Sequence, residues 1–161
     1  MLRLTLFEVF LRGIPEAFLI IIAVHVFSNT AINIKKLIIS STIFLIVGSL
    51  IRMLPIQYGV HTILVIVVGI LLTVNICKIG IIKSIQANLM SLILEFICEG
   101  ANVYIIKYVF KENIMYLISK PTLKILYGVP SLLIFTTIIS IYYFYITRMK
   151  KLKGVIDGET I

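Results

Sequence analysis

The sequence predicts an all-α integral membrane protein, folded as a bundle of about five transmembrane helices. The 161 residues are 60% hydrophobic and only 14% charged, with a mean hydropathy of +1.13. A soluble domain is about 45–50% apolar and about 25% charged. The apolar residues also form runs close to the roughly 20 residues that a spanning helix needs. Basic residues separate these runs, as they do at membrane surfaces.

Residues 1–147 are predicted to form a single transmembrane domain, followed by a short basic cytoplasmic tail at 148–161. The net charge of +8 does not indicate nucleic-acid binding, because the fifteen basic residues lie between apolar runs and form no single patch. Cys77 and Cys98 lie within apolar runs and are too few for a disulfide framework or a metal box.

The basic residues divide the chain into five predicted spans. Their approximate ranges are 14–33, 36–54, 60–77, 85–107 and 126–147. Gly13 and Pro15 predict a break before the first span, because proline suits the first turn of a new helix. Residues 2–12 are then either an interfacial helix or the lower part of one long, broken first helix.

The stretch RMLPIQYGVH at 52–61 joins the second and third spans. The apolar runs on either side have fifteen and sixteen residues, which as helices fall short of a roughly 30 Å hydrocarbon core. Both helices must therefore extend into the stretch, the second to Leu54, before the proline, and the third from near Val60. A tight helical hairpin results, with Arg52 and His61 near one membrane surface.

The chain after the fourth span alternates between polar and apolar character. Residues 108–125 mix charge with large apolar side chains and are predicted to lie along the membrane surface. The fifth span is predicted to begin at GVPS (128–131) and to end in YYFYITR (142–148), where tyrosines form an interfacial belt. The dense basic cluster beyond it places the C terminus inside the cell and the N terminus outside.

The fourth span carries a stripe of polar residues at spacings of 3, 4, 4 and 3, which places them on one helical face. They are Asn88, Ser91, Glu95, Glu99 and Asn102. Ionisable groups inside a membrane indicate a functional site by default, and two carboxylates one turn apart in a low dielectric resist ionising together. Glu95 and Glu99 are therefore either a proton, cation or ligand-sensing pair, or a pair neutralised by Arg12, Arg52 or a histidine that fixes helix packing.

A second set of charges lies at the start of the chain. Glu8, Arg12 and Glu16 have i, i+4 spacing and would form a charge ladder on a continuous helix. If the chain breaks at Gly13, only Glu8 and Arg12 need face each other. His25, within IIIAVHVF, is predicted to be a hydrogen-bonded packing residue, since no second histidine lies one turn away to share a metal.

No enzymatic chemistry is predicted. The sequence contains no G-x-S-x-G, H-E-x-x-H or P-loop motif, and His61 and Cys77 are about 24 Å apart along one helix. Catalytic residues, metal ligands and cofactors are accordingly predicted to be absent. The predicted ligand-binding or coupling residues are Glu95, Glu99, Asn88, Asn102, Arg52, His61, Glu16 and Arg12.

Three short motifs occur in order along the chain. They are GIPEAFLIII (13–22), IRMLPIQYGVHTIL (51–64) and ISKPTLKILYGVPSLL (118–133). This order resembles the membrane-embedded N-terminal region of sensor histidine kinases from clostridia and related Firmicutes, and it covers most of 13–147. In such kinases a dimerisation and ATP-binding part follows the last helix, and here no phospho-acceptor segment or nucleotide box is found. The resemblance implies a membrane sensing or interaction module without its own kinase.

The sequence therefore favours a non-enzymatic bacterial membrane protein that acts as a sensor or regulatory interaction module. Its expected partners are the lipid bilayer and a membrane or cytoplasmic signalling protein, or a second copy of itself. The alternative is a small-molecule transport component, either a substrate-binding membrane subunit or a small transporter, with Glu95, Glu99 and Asn102 lining the path. A third interpretation is a structural membrane protein whose polar groups serve packing only.

Overall fold

A computed structural model describes residues 12–54, 58–108 and 121–156, and these form a helical bundle. The helices are α1 (Ile14–Phe27), α2 (Ile34–Met53), α3 (Tyr58–Asn75), α4 (Ile81–Tyr108) and α5 (Pro121–Ile156). All regular structure in these ranges is helical, which confirms the all-α prediction for them. The interfacial elements predicted at 2–12 and 108–125 lie mostly outside the described residues, although 121–125 belong to α5.

Three of the five helices are long and apolar enough to cross a membrane. They are α2, α4 and the segment Gly128–Met149 of α5. The other two are shorter: α1 has 14 residues and α3 has 18, or about 21 and 27 Å at 1.5 Å per residue. The predicted boundaries of the first span were therefore too wide.

The short helix α1 lies at the centre of the bundle. It packs against α2, α4 and α5, while α2, α3, α4 and α5 pack against one another in chain order. Ile21 and Val24 of α1 are completely buried, and α1 has apolar residues on all sides, as a helix enclosed by others does. Ala17 and Ala23 let neighbouring helices approach it on two faces.

Asparagines at 29 and 33 end α1 and begin α2. The Asn29 backbone takes a left-handed conformation with φ of 54°, which asparagine tolerates after a helix C terminus. The Asn33 side chain accepts hydrogen bonds from the backbone N–H groups of Lys35 and Lys36 at 3.1 and 3.4 Å, a normal N-cap. The predicted span 14–33 is thus a 14-residue helix followed by a polar turn.

The predicted hairpin between α2 and α3 is present. α2 ends at Met53, Leu54 is extended, and α3 begins at Tyr58, two residues earlier than predicted. The two helices are neighbours, so Arg52 and His61 lie in their adjoining terminal turns. We call this the hairpin end of the bundle; the opposite end, which carries Lys35, Lys36, Lys78 and Lys83, is the lysine end.

One of the two predicted helix starts is present and the other was wrong. α1 begins at Ile14 with Pro15 in its first turn, as predicted, and Gly13 before it has a helical φ of −64° and ψ of −38°. α5 begins at Pro121, and Pro130 lies inside the helix, so GVPS is not its first turn. An internal proline removes one helical hydrogen bond, and next to it the Ser131 hydroxyl donates to the Gly128 carbonyl at 2.7 Å.

Polar and apolar side chains are distributed oppositely to those of a soluble bundle. Large apolar side chains point outward from the outer helices; Ile46, Val67, Ile97 and Leu133 are 46–63% exposed. The buried residues, in contrast, include many polar ones: Glu16, His25, Ser40, Ser41, Thr73, Ser84, Asn88, Ser91, Asn102 and Ser131. An apolar exterior of this extent matches lipid as the surrounding solvent.

A buried hydrogen-bond network joins α3 to α4 towards the lysine end. The hydroxyls of Thr73 and Ser84 are 2.6 Å apart, and the Asn88 amide donates to Thr73 Oγ1 at 3.2 Å and to the Ser84 carbonyl at 2.8 Å. Gly69 makes room for this amide, because a Cβ at 69 would lie 2.5 Å from Asn88 Oδ1. Small residues and interhelical hydrogen bonds are the means by which helices associate in apolar surroundings.

Replacing Gly69 with alanine tests the packing of α3 on α4. We expect Gly69→Ala to be less stable than the matched helix-interior variant Gly48→Ala by about 1–3 kcal/mol, the usual cost of overpacking. An added Cβ at 48 meets nothing within 4 Å. The free energy of unfolding in mixed detergent micelles, followed by circular dichroism, measures the difference, and equal stabilities would contradict the contact.

Candidate functional site

Five charged side chains from α1, α2 and α4 meet at the hairpin end of the bundle. We call them the charge cluster: Arg12, Glu16, Arg52, Glu95 and Glu99. Arg12 lies in the helical turn that leads into α1, one turn before Glu16, and Arg52 lies in the last turn of α2. Its long-range pairs join residues far apart in the sequence: Arg52 and Glu16 are separated by 36 positions, and Arg12 and Glu99 by 87.

Glu16 is the centre of the charge cluster. Its side chain is only 8% exposed, and its Oε1 accepts a hydrogen bond from Arg52 Nη2 at 2.7 Å. Its Oε2 lies 3.6 Å from Arg12 Nε, one turn earlier. A buried carboxylate needs such partners because the apolar surroundings replace water poorly, and Glu16 binds two guanidinium groups.

Arg12 connects three helices. Its Nη2 donates to Glu99 of α4 in a charge-assisted hydrogen bond, while its Nε faces Glu16. The guanidinium lies against Gly128 of α5, where a Cβ would be 3.0 Å from Nη1. Glycine at 128 therefore leaves the space that the Arg12 side chain occupies.

Glu95 completes the charge cluster from α4. Its side chain is a neighbour of the Glu16 side chain. Both carboxyls line a cavity of about 10 Å³ whose walls are Arg12, Glu16, Ile20, Glu95, Cys98, Glu99, Ser131, Leu132 and Phe135. That volume holds about one water molecule, whereas sites for organic ligands measure roughly 300–1,000 Å³.

The charge cluster is far from the lysine end. Glu95 lies twelve residues after Lys83 on α4, which is about 18 Å along the helix, and Gly128 lies twenty residues before Arg148 on α5, about 30 Å. Arg52 and Glu99 are 42% and 41% exposed, respectively. The charges are thus buried at Glu16 and reach the surface on the hairpin side.

The structure brings together five of the eight residues predicted as ligand-binding or coupling groups. Glu95 and Glu99 meet both arginines that the sequence named as their possible counter-charges, and Glu16 joins them. The second step of the predicted charge ladder is present, since Arg12 pairs with Glu16. The first step involves Glu8, which lies outside the described residues.

The other three predicted residues have different surroundings. Asn88 belongs to the α3–α4 network and so contributes to packing away from the carboxylates. Asn102 is buried one turn beyond Glu99 on the same face. His61 is half-buried in α3 and close enough to Arg52 to interact with it electrostatically.

His25 matches its predicted packing role. The ring is buried, and Nδ1 lies 2.9 Å from the Ile21 carbonyl one turn earlier. A carbonyl accepts only, so Nδ1 carries the hydrogen and donates. Cys77 and Cys98 are both free thiols, and Cys98 is buried.

Sequence reasoning missed the contribution of α5 to the site. Gly128 and Ser131 lie in GVPS, which was interpreted only as a helix start. A glycine among bulky residues of a span is a signal for close helix contact. That signal was present, but nothing in the local pattern showed that its neighbour would be an arginine over a hundred residues earlier.

The donor set of the charge cluster does not suit a metal ion. Within the described parts of the chain, no three His, Cys, Asp or Glu side chains are grouped so that they could hold one. Two of the five groups are guanidinium ions, which repel cations. The arrangement can hold a proton or a water molecule, and it can hold α1, α2 and α4 together.

Comparison of the chain with protein-family models, curated proteins and solved structures finds no match.

Removing the central carboxylate tests whether the charge cluster holds the bundle together. We expect Glu16→Ala to lower the free energy of unfolding by about 1–3 kcal/mol, because Arg12 and Arg52 lose their common acceptor. The double variant with Arg52→Ala should lose less than the sum of the single losses, as coupled partners do.

The matched control is Lys35→Ala, an exposed basic residue at the lysine end. Its stability should stay within about 0.5 kcal/mol of wild type. Additive losses in the Glu16 and Arg52 variants would show that the ion pair contributes nothing to the fold.

Proposed function

We propose that the chain is a non-enzymatic multi-pass protein of the bacterial cell membrane that acts as a sensor or regulatory interaction module. Its hairpin end faces outside and its C terminus faces the cytoplasm. The apolar exterior and the three helices of spanning length support insertion, and the basic residues of the lysine end support this orientation.

The observation that carries the sensing role is the charge cluster and its contact with α5. A group of charges that is half-exposed on the hairpin side can respond to a change outside the cell. Arg12 belongs to this group and also lies against Gly128. α5 then continues for about 30 Å to the basic residues that begin at Arg148.

This arrangement provides a route for a signal. A change in the charge of the cluster alters which carboxylate Arg12 pairs with, and therefore how firmly Arg12 lies against α5. Pro130 lies two residues away in a helix that lacks one hydrogen bond there. A two-state change at that position would shift the basic end of α5, where a cytoplasmic signalling partner or a second copy binds.

Transport is a second candidate function, favoured by the unequal number of acidic and basic groups in the charge cluster. Three carboxyls and two guanidinium groups suit a proton path through the bundle. The 10 Å³ cavity argues against a subunit that binds a vitamin-sized substrate in this conformation. A proton-coupled transporter would move substrate in sealed vesicles, whereas a sensor would not.

Single cysteines test the membrane topology. In a background with Cys77→Ala and Cys98→Ala, we expect Leu54→Cys to react with a membrane-impermeant maleimide in intact cells, because Leu54 is exposed at the hairpin end. Lys78→Cys, at the lysine end, should react only after the membrane is opened. The reverse pattern would invert the topology, and labelling of both from outside would exclude a spanning bundle.

Affinity purification from native membranes tests the signalling role. We expect tagged protein to recover a kinase, a response regulator or another signalling protein. Lys150→Glu with Lys151→Glu should abolish this recovery, because the basic end of α5 is the proposed contact. Lys35→Glu with Lys36→Glu, an equal charge change at another position of the lysine end, should leave it intact. Recovery of no signalling partner would refute the proposed function.

A further inference from the structure

The charge cluster contains one more acidic group than basic groups. Arg12 and Arg52 bring two positive charges, and three glutamates bring up to three negative ones. Ion pairs account for Glu16, which faces both guanidinium groups, and for Glu99, which is bonded to Arg12. If every group were ionised, the cluster would carry a net charge of −1 in a largely apolar surrounding, which is costly.

The ion pairs of the cluster involve Glu16 and Glu99, whereas Glu95 lines the same small cavity as Glu16. An ionised carboxylate can only accept hydrogen bonds, so two neighbouring carboxyl groups can bond to each other only if one of them is protonated. The Oε1 of Glu16 already accepts from Arg52, whose guanidinium keeps its protons. Glu95 is therefore the group suited to carry a proton and to donate it to Glu16.

A second observation at the same place indicates a small polar occupant. Arg12 Nε is completely buried and has no hydrogen-bond partner, and Arg12 lines the 10 Å³ cavity together with Glu16 and Glu95. A buried donor is costly unless something accepts from it. A single water molecule fits this volume and would also connect the Glu95 carboxyl to the half-exposed Glu99.

The groups that face the Glu16–Glu95 pair come from every helix packed around it. α2 contributes Arg52 and α3 contributes His61, which lies near Arg52. Beyond Glu95 itself, α4 contributes Cys98 and Glu99, and the lining residues of α5 are the uncharged Ser131, Leu132 and Phe135. The arginines stabilise ionised carboxylates, but two positive charges cannot compensate three negative ones.

We propose that the Glu16–Glu95 pair binds one exchangeable proton and that proton release is the event that the module senses. The first part stands by itself; the second rests on the proposed function and names its signal as external pH. On release, the O–H bond of Glu95 breaks, the proton passes to water on the hairpin side, and its electron pair stays on the carboxylate. The two carboxylates then repel, and Arg12 redistributes among three acceptors, which loosens its contact with Gly128.

Infrared spectroscopy of the full-length protein in lipid nanodiscs tests the proton site. Between about pH 6 and 10, water-exposed carboxyls are already ionised, since their pKa values are about 4. We expect wild type to show a protonated-carboxyl C=O band that shifts in D₂O and disappears as pH rises. Glu95→Gln should lack the band, and Glu99→Gln, which leaves two carboxyls for two guanidinium groups and frees Arg12, should lose it at a lower pH than wild type.

Stability gives a second readout, because Glu95→Gln retains an amide donor for Glu16 and should fold. The folded wild type holds a proton that the unfolded chain releases above about pH 5, so its Tm should fall as pH rises. The Tm of Glu95→Gln should change much less over the same range. A wild-type protein without the band, or a Glu95→Gln protein with the same band and the same pH dependence, would overturn the proposal.

The two proposals can fail separately. A carboxyl band that depends on Glu95 in a protein that recovers no signalling partner would retain the proton site and refute the signalling role. A partner recovered by a protein without the band would retain the signalling role and refute the proton site.

Discussion

A charge in apolar surroundings needs compensation, and in this bundle that constraint acts at Glu16. The side chain is almost fully buried on the central helix, and its compensation comes from Arg52 of α2 and from Arg12 one turn earlier. Arg12 in turn binds Glu99 of α4 and lies against Gly128 of α5. One carboxyl group is thus connected, directly or through Arg12, to four helices at the hairpin end.

Apolar packing alone would not determine this placement. α1 has apolar residues on all sides, and its faces contact three separate groups of buried residues, including Phe44, Ala87 and Phe135. Such a helix could rotate about its axis and still bury similar surface, because dispersion contacts are individually weak and non-directional. The hydrogen bond that Glu16 accepts from Arg52 and its ion pair with Arg12 favour one rotation, around which the apolar side chains pack.

The polar face of α4 makes two different kinds of contact, which its regular spacing does not distinguish. Towards the lysine end, Ser84 and Asn88 bond to Thr73 of α3 and give a satisfied, uncharged contact. Towards the hairpin end, Glu95 and Glu99 meet arginines and a third carboxyl. A neutral network of this kind is insensitive to pH, whereas the charged end changes its interactions with a single proton. The bundle therefore combines a constant contact and a variable one on the same helix.

The amino-acid sequence by itself predicted the all-α class and the five helices that the described residues form. Runs of apolar residues predict helices wherever the chain is enclosed by lipid or by other helices, and the hairpin at 52–61 followed from length alone. The polar residues that matter were also found, because a charge within an apolar run is conspicuous. Even the two arginines were named as counter-charges for Glu95 and Glu99.

Only the tertiary structure decided which polar groups meet. The periodicity of α4 places Asn88 and Glu95 on one face, but the face turns towards α3 at one end and towards α1 at the other. Gly128 and Pro130 lie inside α5 but were interpreted as a helix start, since glycine and proline mark both a boundary and a site of close approach. Charge pairing between residues 87 positions apart depends on how helices are arranged around α1, and that arrangement is a property of the whole bundle, not of any local pattern.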